Sequence, residues 1–160
     1  MSDFTGQRVV RSYTQTIHAV PETVFPLLCP VREMEWLAGW KARVIHAESG
    51  LAETNGIYAS LHPGERDTIW MITQRDEQRH VIEFVYFVAG TRVTRLNIAV
   101  HPAAGKNSRV EITYVYTGIS EEGNREIAEH CSEERFIEQM KHWETSMNHF
   151  LKTGRPLAGH

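Results

Sequence analysis

The chain ends in one long amphipathic helix, and nearly everything ahead of it reads as β-strand. Phe136, Met140, Trp143, Met147 and Phe150 recur at alternating steps of four and three residues. At 3.6 residues per turn this spacing gathers large apolar side chains into one stripe. Thr153-Gly154-Arg155-Pro156 closes the helix, with Gly as the C-cap and Pro just beyond. Such a stripe is stable only against another apolar surface, and the strands supply it. An α+β domain follows, with a sheet whose one face is covered by this helix.

Strand patterns fall at residues 8–18, 42–48, 56–62, 67–74, 80–88, 91–101 and 109–119. The last six have no helix between them, so an antiparallel meander is expected. Ala89-Gly90 makes a tight hairpin, and residues 102–108 make a looser loop. After the first strand, Pro21 and Glu22 suit the opening of a short helix through Val24, Phe25, Leu27 and Leu28, limited by Pro26. A second short helix covers residues 32–37. Residues 121–130 read as helix or loop, and Ser132 caps the main helix.

Phase along the strands separates two faces. Ile82, Phe84, Tyr86 and Val88 share one side, as do Leu96, Ile98 and Val100, and Ile112, Tyr114 and Tyr116. These faces should meet the helix. Glu83, Arg95, Asn97, Glu111 and Thr113 point the other way, toward water. A bulge would invert every later assignment.

Several function classes are excluded by composition. The net charge is −3 and Lys and Arg are scattered, so there is no basic stripe for nucleic acid. No apolar run reaches the ~20 residues needed to cross a bilayer, and no membrane insertion is expected. Residues 1–6 lack a basic region leading into an apolar one, so no signal peptide is expected. Cys29 and Cys131 have neither CxxC spacing nor enough company for a disulfide framework, and a reducing cytoplasm is the expected setting. At 160 residues the whole chain reads as one domain, 1–160.

Glu138, His142 and His149 share a face of the long helix at zinc-compatible spacing, but that face lies at the solvent boundary and HExxH is absent. No metal and no cofactor is expected. His130-Cys131 point about 100° apart on a helix, which spoils a Cys–His pair. Glu121-Glu122 and Glu133-Glu134 sit where helices start and favour the helix dipole. Arg92 and Arg95 follow the hairpin. Either they hold an anionic head group at a cavity mouth, or they are strand charges that discourage edge pairing. Nucleotide and hydrolase signatures are missing.

Residues 17–25, Ile-His-Ala-Val-Pro-Glu-Thr-Val-Phe, resemble the strand-to-helix entry of START-like helix-grip (SRPBCC) proteins. Trp36-Leu37-Ala38-Gly39-Trp40 resembles the Trp-containing stretch before their second strand. Gly56-Ile57-Tyr58 resembles the opening of their third, and the terminal helix resembles their closing helix. The likeness spans nearly the whole chain and lies nearest the polyketide cyclase/dehydrase and lipid-transport type. Val20 departs from the usual Ala-Pro junction, which bears on the turn only. The resemblance implies a seven-stranded curved antiparallel sheet wrapped around the long helix, two short helices after strand 1, and a cavity between. It implies an apolar ligand there, of lipid, polyketide or aromatic type, and carries over no catalytic residue.

The expected ligand-binding residues are Trp70, Phe84, Tyr86, Leu96, Ile98, Tyr114, Tyr116, Phe136, Met140, Trp143 and Met147. An apolar wall with a few polar tips suits a small-molecule pocket. Core packing alone explains any one of them, but in such a fold core and pocket wall are the same surface. The expected function is non-catalytic binding of a small hydrophobic or amphipathic molecule. A cyclase/dehydrase-type enzyme is the alternative, with Tyr114, Tyr116, Tyr86 and His62 the first groups to test as acid or base. A protein-interaction module, like the chaperone-activator relatives, is a third, and would have a filled interior. An exposed strand edge would suffice for a homodimer, though nothing in the chain requires one.

Overall fold

A computed structural model describes residues 3–61 and 67–158. β1 (Arg8–Ile17) leads into α1 (Pro21–Val24), a 3-10 turn (Phe25–Leu27) and α2 (Glu33–Trp36). Then come β2 (Ala42–His46), β3 (Ile57–Ser60), β4 (Thr68–Asp76), β5 (Val81–Val88), β6 (Arg92–Ala103) and β7 (Asn107–Gly118). Two helices close the chain, α3 (Glu121–His130) and α4 (Glu133–Thr153). The strands form one antiparallel sheet in the order β1-β7-β6-β5-β4-β3-β2. Only β1 leaves sequence order, pairing with β7 because the short helices carry the chain across to the far edge.

The two long hairpins are set by backbone that turns left-handed. Gly90 has φ 75° between β5 and β6, and Gly105 and Lys106 have φ 75° and 61° between β6 and β7. The second loop is shorter than expected, because Pro102↔Ser108 and Ala103↔Asn107 remain paired. Pro102 has no N–H to donate, but β5 stops pairing at Val81↔Ala99, so β6 has a single neighbour at that point.

The alternation sorts the faces as expected. Ile82, Phe84, Tyr86, Leu96, Ile98, Val100, Ile112, Tyr114 and Tyr116 are buried; Val88 is half-buried. β4 contains the bulge that could have upset this. Its register shifts between Ile72 and Gln74, and Thr73 turns its hydroxyl to Glu83, donating to Oε1 at 2.6 Å. Trp70 and Ile72 face inward before the shift. After it Arg75 pairs with Ile82 and lies over the Phe25 ring, 4.9 Å from its centre.

α4 is fixed at both ends and along one side. The Ser132 hydroxyl accepts from the Arg135 N–H at 3.2 Å, and Gly154, at φ 76°, donates back to the Phe150 carbonyl. α4 covers the free edge at the C-terminal end of β1. Gln15, buried, donates to the Met140 carbonyl at 3.0 Å. Glu144 accepts from the Thr16 N–H at 2.6 Å. Asn148 accepts from the His18 N–H at 2.8 Å and donates to the Thr16 carbonyl at 3.0 Å. These helix side chains replace the missing strand neighbour and hold α4 across the sheet. α3 rests on the β5–β6 hairpin, its N-terminus capped by Ser120. A Cβ at Gly123 would run into the Thr91 carbonyl, so the close approach requires glycine there.

Candidate ligand-binding site

Between the sheet, α2 and α4 lies a cavity of about 510 Å³. That volume is in the range of small-molecule sites. β4, β5, β6 and β7 supply Trp70, Phe84, Tyr86, Leu96, Ile98 and Tyr114 to its walls. α4 supplies Gln139, His142 and Trp143, and the segment around α2 supplies Glu33, Leu37 and Trp40. Ala38, Gly39 and His142 are exposed and mark the side on which the cavity meets solvent.

The walls are anchored by indole groups. Trp36 is fully buried, donates to the Leu27 carbonyl at 3.0 Å and stacks on Trp143 with centroids 6.0 Å apart. That stack ties α2 to α4. Trp40 donates to the Pro30 carbonyl at 2.8 Å, which holds the loop after α2 over the cavity. Trp70 donates to Ser60 Oγ at 2.9 Å and lies 4.1 Å from the Tyr86 ring and edge-on to Trp40. Trp143 Nε1 is buried and makes no hydrogen bond among the described residues.

Of the residues expected from the sequence, Trp70, Phe84, Tyr86, Leu96, Ile98, Tyr114 and Trp143 face the cavity. Tyr116, Phe136, Met140 and Met147 do not line it. Tyr116 stacks on Tyr114 and Phe136 meets Tyr114 edge-on, each 5.4 Å away. Met140 and Met147 are 0% and 1% exposed. The cause is the rotation of α4. Its bonds to β1 turn the Met140–Met147 side into the packed interior and leave the Gln139–Trp143 side to the cavity. His62 lies outside the described residues. The two arginines after the hairpin part company. Arg92 reaches the cavity wall and pairs with Glu126 at 3.2 Å, whereas Arg95 pairs with Glu83 at 2.8 Å, its side chain largely exposed.

Burial raises the Tyr86, Tyr114 and Tyr116 hydroxyls above the usual phenol value, Tyr114 most clearly. They stay protonated near neutrality and serve as neutral donors and acceptors rather than bases. Leu37, Trp40 and Gln139 line the cavity without having been expected there, and so does Glu33. Burial pushes the Glu33 carboxyl up to about 8. The residue is half-buried, and burial is what shifts its carboxyl. Its charge also acts on the Tyr114 hydroxyl, and both residues line the cavity. One signal was available: Glu33 stands three residues ahead of Trp36, on the same side of one helical turn.

Among the described residues, no helix is long and apolar enough to cross a membrane, and no group of three His, Cys, Asp or Glu is placed to hold a metal ion. No protein-family model and no curated protein matches the chain. Solved structures do. A truncated norcoclaurine synthase from Thalictrum flavum superposes with a TM-score of 0.71 at 12% identity, over 96% of this chain and 99% of that one. A START superfamily protein from Mycobacterium smegmatis gives 0.65 at 9% identity, over 89% and 97%. DynU16, from the dynemicin biosynthetic locus, gives 0.61 at 12% identity, over 92% of this chain and 48% of its own. With the open seven-stranded sheet, the short helices after β1 and the long terminal helix, these likenesses show that the chain has the helix-grip fold of START-like proteins.

Proposed function

We propose that the chain binds one small apolar or amphipathic molecule with aromatic character between the sheet and α4. The observation that carries this reading is an unfilled interior of about 510 Å³ walled by Trp40, Trp70, Phe84, Tyr86, Tyr114 and Trp143. Binding would come chiefly from burial of ligand surface, at about 25 cal/mol per Å² before ordering costs. The tyrosine hydroxyls and Gln139 would select among ligands by hydrogen bonding, because a mismatch would leave buried polar groups unpaired. An interaction module with a packed interior fits this cavity poorly.

The test is native mass spectrometry of protein purified from its own host, followed by solvent extraction. A bound small molecule is expected. It should be lost from Leu96→Trp, which extends a wall residue into the cavity, while the melting temperature stays within a few degrees. Protein that carries no molecule, with apolar dyes binding equally to both forms, would end the proposal.

The Glu33 carboxyl favours a second reading, acid–base catalysis on the bound molecule. Incubating the extracted molecule with fresh protein would then change its mass, and Glu33→Gln would abolish the change.

A further inference from the structure

We propose that the molecule held in this cavity carries a protonated amine, received by the Glu33 carboxylate beside the Tyr114 hydroxyl and against the aromatic wall of Trp143. This rests on the cavity being a ligand site.

The charges around the cavity are unevenly satisfied. Arg92 pairs with Glu126 through Nη1, while its buried Nε makes no hydrogen bond among the described residues. On α2, Arg32 is engaged by Glu35 at 3.2 Å. Glu33 alone on that helix lines the cavity, and burial is what acts on its carboxyl. From β7 it faces Tyr114, which is neutral, and from α4 the cavity receives His142. Glu33 and Arg92 also act on different groups. The carboxyl bears on Tyr114, whereas the guanidinium bears on Tyr86 and Tyr116.

A carboxylate in this apolar setting is costly, and the folded chain avoids the cost by keeping Glu33 protonated. An ammonium group removes that need. It supplies the missing charge, donates further hydrogen bonds to the Tyr114 oxygen and the Gln139 carbonyl, and lies against indole faces that attract cations. A neutral oxygen ligand would also bond a protonated carboxyl, but would leave the aromatic faces without a charge to hold. Proton balance follows. The amine arrives charged and stays charged, Glu33 passes from acid to carboxylate, and its proton leaves to solvent.

The experiment uses full-length protein at pH 7 with 1-naphthylmethylamine and 1-naphthylmethanol, a pair that differs in charge but little in size. Tryptophan fluorescence gives the affinities, and calorimetry in buffers of different ionisation enthalpy gives the proton release. Wild type should prefer the amine by about tenfold or more, as expected for a partly buried charge-assisted contact. It should release close to one proton per amine bound and none with the alcohol. Glu33→Gln should bring the affinity ratio near unity and remove the proton release, and Glu35→Gln on the same helix should change neither. Equal affinities in wild type, or a preference that survives Glu33→Gln, would overturn the proposal while leaving the cavity reading intact. Failure of both compounds to bind wild type would overturn the cavity reading and this inference with it.

Discussion

Glu33→Gln should make the protein more stable at high pH and leave it nearly unchanged at low pH. The folded chain holds the Glu33 proton up to about pH 8, while the unfolded chain releases it near the ordinary value of 4.5. Between those values the folded state binds more protons, so stability falls as pH rises through this window and levels off above it. At about 1.4 kcal/mol for each tenfold difference in proton affinity, the ceiling for that loss is about 5 kcal/mol. Cavity water and relaxation of the short α2 helix reduce it, and about 2–3 kcal/mol is the expected value. Gln has the shape of the protonated acid and does not titrate. Urea unfolding followed by tryptophan fluorescence at pH 5, 7 and 9 would measure the difference, because all other titrating groups are common to both proteins. With an m value of about 2 kcal/mol per molar urea, the midpoint of the variant should move above wild type by about 1 M at pH 9, and the gap should narrow to about 0.4 M at pH 5 and close below the unfolded-state value of 4.5. Parallel pH profiles would mean that Glu33 is well solvated, and the account of its burial would be wrong.

Three further perturbations test how the helices are held. Gly123→Ala places a methyl group on the Thr91 carbonyl, which also accepts from Ile119, and should cost about 2 kcal/mol or more, read as a drop of several degrees in Tm. Asn148→Ala leaves the His18 N–H and Thr16 carbonyl to water, costing about 1 kcal/mol and raising the amide exchange rate of His18. Ser132→Ala removes the α4 cap and should cost about 1 kcal/mol by urea unfolding, with exchange rising in the first turn alone.

The architecture was legible because its signals are local and repetitive. A residue such as Phe84 declares its side through its neighbours two positions away, and the strands from β4 to β7 are joined by short turns that allow few topologies. The α4 stripe likewise announces its length and cap. The rotation of that helix about its axis was not legible. It depends on Gln15, Glu144 and Asn148 meeting across more than a hundred residues of sequence, and each reads as an ordinary surface polar residue until the fold is assembled. Hence Met140 and Met147 carried the same apolar signature as Trp143 yet lie outside the cavity wall. Tyr114 shows why periodicity cannot separate the two roles. It faces the cavity while Tyr116 and Phe136 pack against its ring, so one side chain belongs to both core and wall.

Glu33 was hidden for the opposite reason. A charged residue in an Arg-Glu-Met-Glu run is ordinarily solvated, and its neighbours Arg32 and Glu35 do pair at the surface. What places Glu33 differently is Trp36. Its indole is drawn under the sheet by the Leu27 carbonyl and the Trp143 ring, and one helical turn back the same side of α2 must follow. A sequence under selection for stability alone would place Gln or Met at this position and avoid the charge. A site that works against its own packing is where function is expected to reside. The fold can accommodate a short helix laid over a cavity without a carboxyl on its inner side. The presence of one, in the cavity wall that Arg92 also reaches, follows from where Trp36 is anchored, and the proposed charge selection rests on it.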